Sequence, residues 1–191
     1  MRYFLVDKTV FDNNRVGMYG KLIYAILCKF LNADGTCFPS RKTISKCGNF
    51  SISTYNKYVS VMLLENVLEK KIRVRKNGSQ TSNLFKLKKN KENSFPVRSD
   101  IFSKGLSSTA VCVYICLARH VAEDNCCRVS QHLIAEKCSI SISSVIRAVK
   151  ELKSANMLET IKQTNINNNG NYVLLYRLVQ NIKMLFAEKL T

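Results

Sequence analysis

Residues 37–59 read CFPSRKTISKCGNFSISTYNKYV. The stretch is rich in Ser and Thr and holds one Pro and one Gly, so it invites three readings. It is a polar linker, a metal-binding loop built on Cys37 and Cys47, or two short helices joined by a turn. Apolar spacing favours the third. Ile52, Tyr55, Val59 and Met62 recur every three or four residues, which places them on one face of a helix. Ser40 and Ser51 each stand just before such a segment, where a hydroxyl caps a helix by accepting from a backbone N–H two or three residues on. Gly48 suits the left-handed position that closes the first helix. The second helix then runs to about Glu65, with Asn66 able to take the left-handed conformation that ends it.

Working outward, GKLIYAILCKFL at 20–31 carries apolar residues at 22, 23, 26, 27 and 30, an amphipathic helix closed by the turn residues NADG at 32–35. Beyond Glu65 the period changes to two. Ile72 and Val74 alternate with Arg73 and Arg75 over 71–76, Asn77-Gly78 signals a hairpin turn, and Phe85 and Leu87 share one side of 83–88. Three helices followed by a two-stranded hairpin, with a short turn between helices two and three, are the marks of a winged helix-turn-helix.

The plan occurs twice. A shift of 90 residues brings Tyr24 onto Tyr114, Leu27 onto Leu117, Cys37 onto Cys127, Ser40 onto Ser130, and the Ser-Ile-Ser at 51–53 onto that at 141–143. One inserted residue extends the match to Phe4, Val6 and Phe11 against Phe95, Val97 and Phe102. The second copy predicts helices at 107–121, 131–137 and 142–154 and strands near 157–163 and 171–178. The chain therefore reads as mainly α with small β-hairpins (α+β), in two tandem winged helix-turn-helix domains. Their expected bounds are 1–88 and 95–191, joined by a polar linker at 89–94. A C-terminal helix over 179–190, with Ile182, Leu185 and Phe186 in register, packs on the second domain or makes a homodimer.

The pattern CFPSRKTISKCGNFSIST…VLEKK resembles the winged helix domains of bacterial plasmid and phage replication initiators and replisome organisers. It combines an aromatic residue, Pro-Ser, a short basic helix, Ser-x-Ser-Thr and a long helix. The resemblance covers about 17–88, and about 107–178 in the second copy. The second copy has Val129-Ser130 for Pro-Ser, with Gln131 and His132 in place of Arg41 and Lys42, and both copies have Asn (Asn66, Asn156) where the pattern usually has Gly. The resemblance implies double-stranded DNA as partner, with replication initiation as the role. The same domain also serves transcriptional regulators, and winged helices also dock proteins.

In such a motif the third helix enters the major groove. With Ile52, Tyr55, Val59 and Met62 turned to the core, the exposed face is Ser53, Thr54, Asn56, Lys57 and Ser60. In the second copy it is Ser143, Ser144, Ile146, Arg147 and Lys150. Asn suits adenine, Arg guanine, and Lys guanine or phosphate. The capping residues Ser40, Ser51, Ser130 and Ser141, with Arg41, Lys42, Gln131 and His132, are placed for backbone phosphates. The hairpins add Arg73, Arg75, Lys76, Asn77 and Lys162. Taken singly, each of these cations also fits a solvated surface position.

Bulk charge agrees with a polyanion partner. Thirty Lys and Arg face thirteen Asp and Glu, a net charge of +17. Residues 1–93 hold 18 basic and 6 acidic residues, net +12, and residues 94–191 hold 12 and 7, net +5. Asp7 and Lys8 interrupt the apolar run at the N-terminus, which excludes a secretory signal there, and no 18-residue apolar run exists to span a membrane. The expected setting is the bacterial cytosol, with the eight cysteines reduced. No zinc pattern of close Cys pairs, no phosphate-binding Gly loop and no carboxylate cluster is present, so neither a metal, a cofactor nor an enzymatic activity is expected.

Overall fold

A computed structural model describes residues 2–88, 92–122, 124–164 and 172–179. Helices and small antiparallel sheets alternate in two similar series. The first half contains β1 (Tyr3–Asp7), α1 (Lys8–Asp12), α2 (Gly17–Lys29), β2 (Thr36–Cys37), α3 (Arg41–Gly48), α4 (Ile52–Leu64), β3 (Leu68–Lys71) and β4 (Leu84–Leu87). The second contains β5 (Ser94–Arg98), a 3-10 turn (Ser99–Ser103), α5 (Ser108–Arg119), β6 (Cys126–Cys127), α6 (Gln131–Cys138), α7 (Ile142–Ser154), β7 (Leu158–Thr164) and β8 (Tyr172–Leu178). Each half closes with a three-stranded sheet in which the last strand lies centrally, β2-β4-β3 and β6-β8-β7.

The caps read from sequence form. Ser40 Oγ accepts from Thr43 N at 3.0 Å and Ser51 Oγ from Thr54 N at 3.1 Å. Ser130 and Ser141 repeat this with Leu133 and Ser144, at 3.1 and 3.2 Å. Asn66 and Asn156, both at φ 53°, take the expected left-handed conformation after α4 and α7.

Gly48 does something other than the expected turn. It is the last residue of α3, and Asn49 takes the left-handed position at φ 53°, as Ser139 does at φ 55° after α6. Glycine is needed at 48 for space. A Cβ there would sit 2.0 Å from the Phe50 ring and 3.0 Å from Ile26.

The first hairpin also differs. Its first strand is Leu68–Lys71, not 71–76, because Leu68 is the side chain that reaches the core. Ile72 and Val74 are exposed in a long loop, bridged once between Val74 and Gln80. The polar linker expected at 89–94 ends earlier. Lys86 and Leu87 belong to β4, and Ser94 opens β5. The Asn-rich loop of the second hairpin falls mostly outside the described residues, as does the C-terminal segment after Val179.

The helices α2 and α5 were legible as amphipathic, yet both are buried nearly all round. The face left free by each half's own helices packs on the other half. There β1 and β5 form a two-stranded antiparallel ribbon, with Phe4 opposite Val97, Leu5 opposite Pro96 and Val6 opposite Phe95. Pro is tolerated because a two-stranded ribbon leaves outer edges unpaired. Two hydrogen bonds continue it, Lys8 N to Asn93 O at 2.9 Å and Ser99 N to Arg2 O at 3.0 Å. Side chains of both halves merge into one apolar core.

Candidate nucleic-acid interface

Helix α4 is fixed from beneath by Tyr55, Val59 and Met62, all at most 4% exposed. That anchoring leaves Ser53, Asn56, Lys57 and Ser60 exposed and Thr54 partly so. Ile52, expected in the core, is 40% exposed and joins this outer edge. Three of the polar groups are already engaged, Ser53 Oγ lying 2.7 Å from Ser51 Oγ. Ser60 Oγ donates to Asn56 O at 3.1 Å, and Thr54 Oγ1 lies 2.9 Å from Ser51 Oγ. The Lys57 ammonium rests 5.6 Å from the centre of the Tyr58 ring. Asn56 and Lys57 are thus exposed on this face with side-chain donors not used in a hydrogen bond within it.

Helix α7 repeats the arrangement on Val145, Ala148, Val149 and Leu152. Ser143, Ile146, Arg147 and Lys150 are exposed, and Ser144 partly so. Arg147 Nη2 donates to Ser144 Oγ at 3.3 Å, which holds the guanidinium near the N-terminal turn. On α3, Arg41 and Lys42 are exposed. On α6, His132 is exposed and Gln131 half-buried.

The loops add a feature that sequence reading did not assign. Phe38, 49% exposed, carries the Arg73 guanidinium stacked over its ring at 4.7 Å. Phe38 precedes Pro39-Ser40, so its signal was an aromatic residue ahead of a helix cap with no apolar partner in register. Arg75 and Lys76 stand exposed at the turn. Asn77 serves that turn directly, its Oδ1 accepting from Ser79 N and Oγ at 3.2 and 2.8 Å. Lys162 is exposed on β7.

Among the described residues, Arg41, Lys42, Lys57, Arg73, Arg75, Lys76, Arg147 and Lys150 take part in no ion pair. The helix α4 contains no acidic residue. Several carboxylates are instead used inside the molecule. Asp12 accepts from Arg119 at 2.8 Å and Lys137 at 3.1 Å, both from the other half. Burial pushes its carboxyl up, but these hydrogen bonds outweigh that and hold it below the usual range. Glu151 accepts from Ser107 N and Oγ at 2.5 and 2.6 Å. Asp100 is bound by Arg98. The cations named on α3, α4, α7 and the 72–83 loop are therefore not neutralised by a neighbouring carboxylate.

All eight cysteines are free thiols. Burial pushes Cys37 and Cys127 up to about 12, so both pack as neutral small apolar groups. Among the described residues, no group of three His, Cys, Asp or Glu is placed to hold a metal. No helix among them is long and apolar enough to cross a membrane.

A family model described as a helix-turn-helix domain matches residues 104–158. The match runs from just before α5 to the first residue of β7, less than a third of the chain. Such a domain suggests binding of double-stranded DNA. No curated protein matches the chain.

Proposed function

We propose that the chain is a sequence-specific double-stranded DNA-binding protein made of two winged helix-turn-helix domains, about 2–88 and 94–191. It works by binding, without catalysis. In this reading α4 and α7 enter major grooves, α3 and α6 set them on the phosphates, and the 72–83 loop and the β7–β8 hairpin act as wings. The observation that carries the reading is the set of cations on α3, α4, α7 and the 72–83 loop that make no ion pair, beside carboxylates spent within the fold. Replication initiation on a plasmid, phage or other mobile element is the role we favour, on the resemblance described above. Transcriptional regulation is its alternative.

The test is duplex binding against salt. Each phosphate neutralised releases counterion, so affinity for random duplex should fall steeply as salt rises. Absent or salt-independent binding at low ionic strength would overturn the proposal. At a selected site, Lys57→Ala and Arg147→Ala should each cost about 1–3 kcal/mol and relax base preference at one position. Uniform loss on all sequences would assign both to phosphate.

The lower charge of residues 94–191 supports a second reading, in which that half docks another protein. Arg147→Ala and Lys150→Ala would then leave duplex affinity unchanged.

A further inference from the structure

The halves meet about an internal two-fold axis. In the ribbon, Leu5 and Pro96 are equivalent positions of the sequence repeat, and they face each other. Stepping outward, Phe4 meets Val97 while its equivalent Phe95 meets Val6. The hydrogen bonds beyond, Lys8 N to Asn93 O and Ser99 N to Arg2 O, are likewise exchanged by the repeat. So are the aromatic contacts, Phe4 with Phe102 at 5.8 Å and Phe95 with Phe11 at 5.9 Å. A head-to-tail arrangement would pair each residue with an unrelated partner. Reciprocal pairing of this kind is the mark of an isologous interface.

That axis is tied to the helix-turn-helix units themselves. Ser108 Oγ on α5 donates to the carbonyls of Gly48 and Asn49, at 2.7 and 2.9 Å, in the turn between α3 and α4. From the other side, Lys21 Nζ on α2 donates to Lys137 O near the end of α6, at 2.5 Å. Each half therefore holds the other's turn, and α4 and α7 are fixed relative to one another.

Resting on the DNA-binding reading, we propose that one chain reads two unlike half-sites in inverted orientation at fixed spacing, and not a direct repeat. A duplex has local two-fold axes perpendicular to its length, and a two-fold protein matches them with inverted half-sites. The half-sites differ because α4 presents Thr54, Asn56, Lys57 and Ser60 where α7 presents Ser144, Ile146, Arg147 and Lys150.

The experiment makes the halves read alike. Ser144→Thr, Ile146→Asn, Arg147→Lys and Lys150→Ser, combined in the full chain, give α7 the outer residues of α4. Three of the four positions are exposed and Ser144 is partly so, and an unchanged melting temperature verifies the fold. Duplexes bound by the natural and variant chains are then selected from a random pool. The expected result is an asymmetric site for the natural chain and a palindrome for the variant. A direct repeat, or a variant site with no internal repeat, overturns the inference while leaving DNA binding intact. A second measurement needs no variant. Reversing one half-site in place, or inserting five base pairs between half-sites, should weaken the natural chain on the order of 10–100-fold. Unchanged affinity for both altered duplexes overturns the inference. Failure of the natural chain to bind any duplex at low salt overturns the DNA-binding reading itself, and this inference with it.

Discussion

The ring of Phe4 stacks on that of Phe102, centroids 5.8 Å apart, so the first residues of the chain are held by a residue almost a hundred positions later. Phe95 and Phe11 make the related contact edge to face. These pairs lie in a core that runs unbroken from one half to the other.

The halves should therefore unfold together. Phe11 is fully buried and Phe95 is 3% exposed. Replacing either by Ala should cost about 3–5 kcal/mol, through lost transfer energy and the cavity left behind. Calorimetry should show one transition for the natural chain, with calorimetric and van't Hoff enthalpies equal. Two separate transitions, or a Phe95→Ala effect confined to one of them, would show independent halves.

Two glycines should respond differently to Ala. At Gly48 the new methyl meets the Phe50 ring, and overpacking of this kind costs about 1–3 kcal/mol. At Gly78 nothing lies within 4 Å, and only the left-handed backbone at φ 79° resists, at about 1–2 kcal/mol. Gly48→Ala should also move the turn that Ser108 holds and weaken duplex binding beyond its effect on stability. Gly78→Ala should leave base preference unchanged. Denaturant titration and duplex binding on both variants check this.

Lys21 predicts a contribution to stability that grows at alkaline pH. Its side chain is fully buried, and burial lowers its pKa below the usual lysine range. Between that lowered value and about 10.4, the unfolded chain binds the proton more tightly than the folded one, so the contribution of Lys21 to stability increases with pH, while the raised thiols of Cys37 and Cys127 contribute the opposite slope. Lys21→Met keeps the volume, removes the buried ammonium and frees only one carbonyl. It should raise stability at neutral pH, with the natural chain gaining on the variant as pH rises. Melting temperatures of both chains between pH 7 and 10.5 test the sign of their difference, and a difference that does not change with pH would assign the effect elsewhere.

Phe38 should matter for binding more than for folding. Its half-exposed ring buries little but holds Arg73 in place. An exposed cation–π contact is worth about 0.5–1 kcal/mol. Phe38→Ala should thus reduce duplex affinity about two- to five-fold with little change in melting temperature. Added to Arg73→Ala it should have no further effect.

Much of each half was legible because helix caps and core spacing are local signals. Ser40, Ser51, Ser130 and Ser141 all cap as read, and Tyr55, Val59 and Met62 all face inward. Ile52 did not, because the first turn of a helix projects past the core it leads into. The hairpin strand was displaced for a related reason. Alternation over 71–76 suggested a strand, but a strand needs a core beneath it, and only Leu68 has one. The ribbon of β1 and β5 escaped notice although Phe-x-Val occurs in both. Period two over three residues is a weak signal, and its partner lies some ninety residues away. The burial of Lys21 was illegible for the same reason, since the other half supplies its surroundings.

The ribbon across Leu5 and Pro96 has one more consequence, in the arithmetic of abundance. Proteins that assemble from two separate copies come apart on dilution, so the amount of working unit varies with the square of a low concentration. Here the two partners are parts of one covalent chain and meet in a first-order step. The supply of working units falls only in proportion to the number of chains, which suits a protein present in few copies per cell.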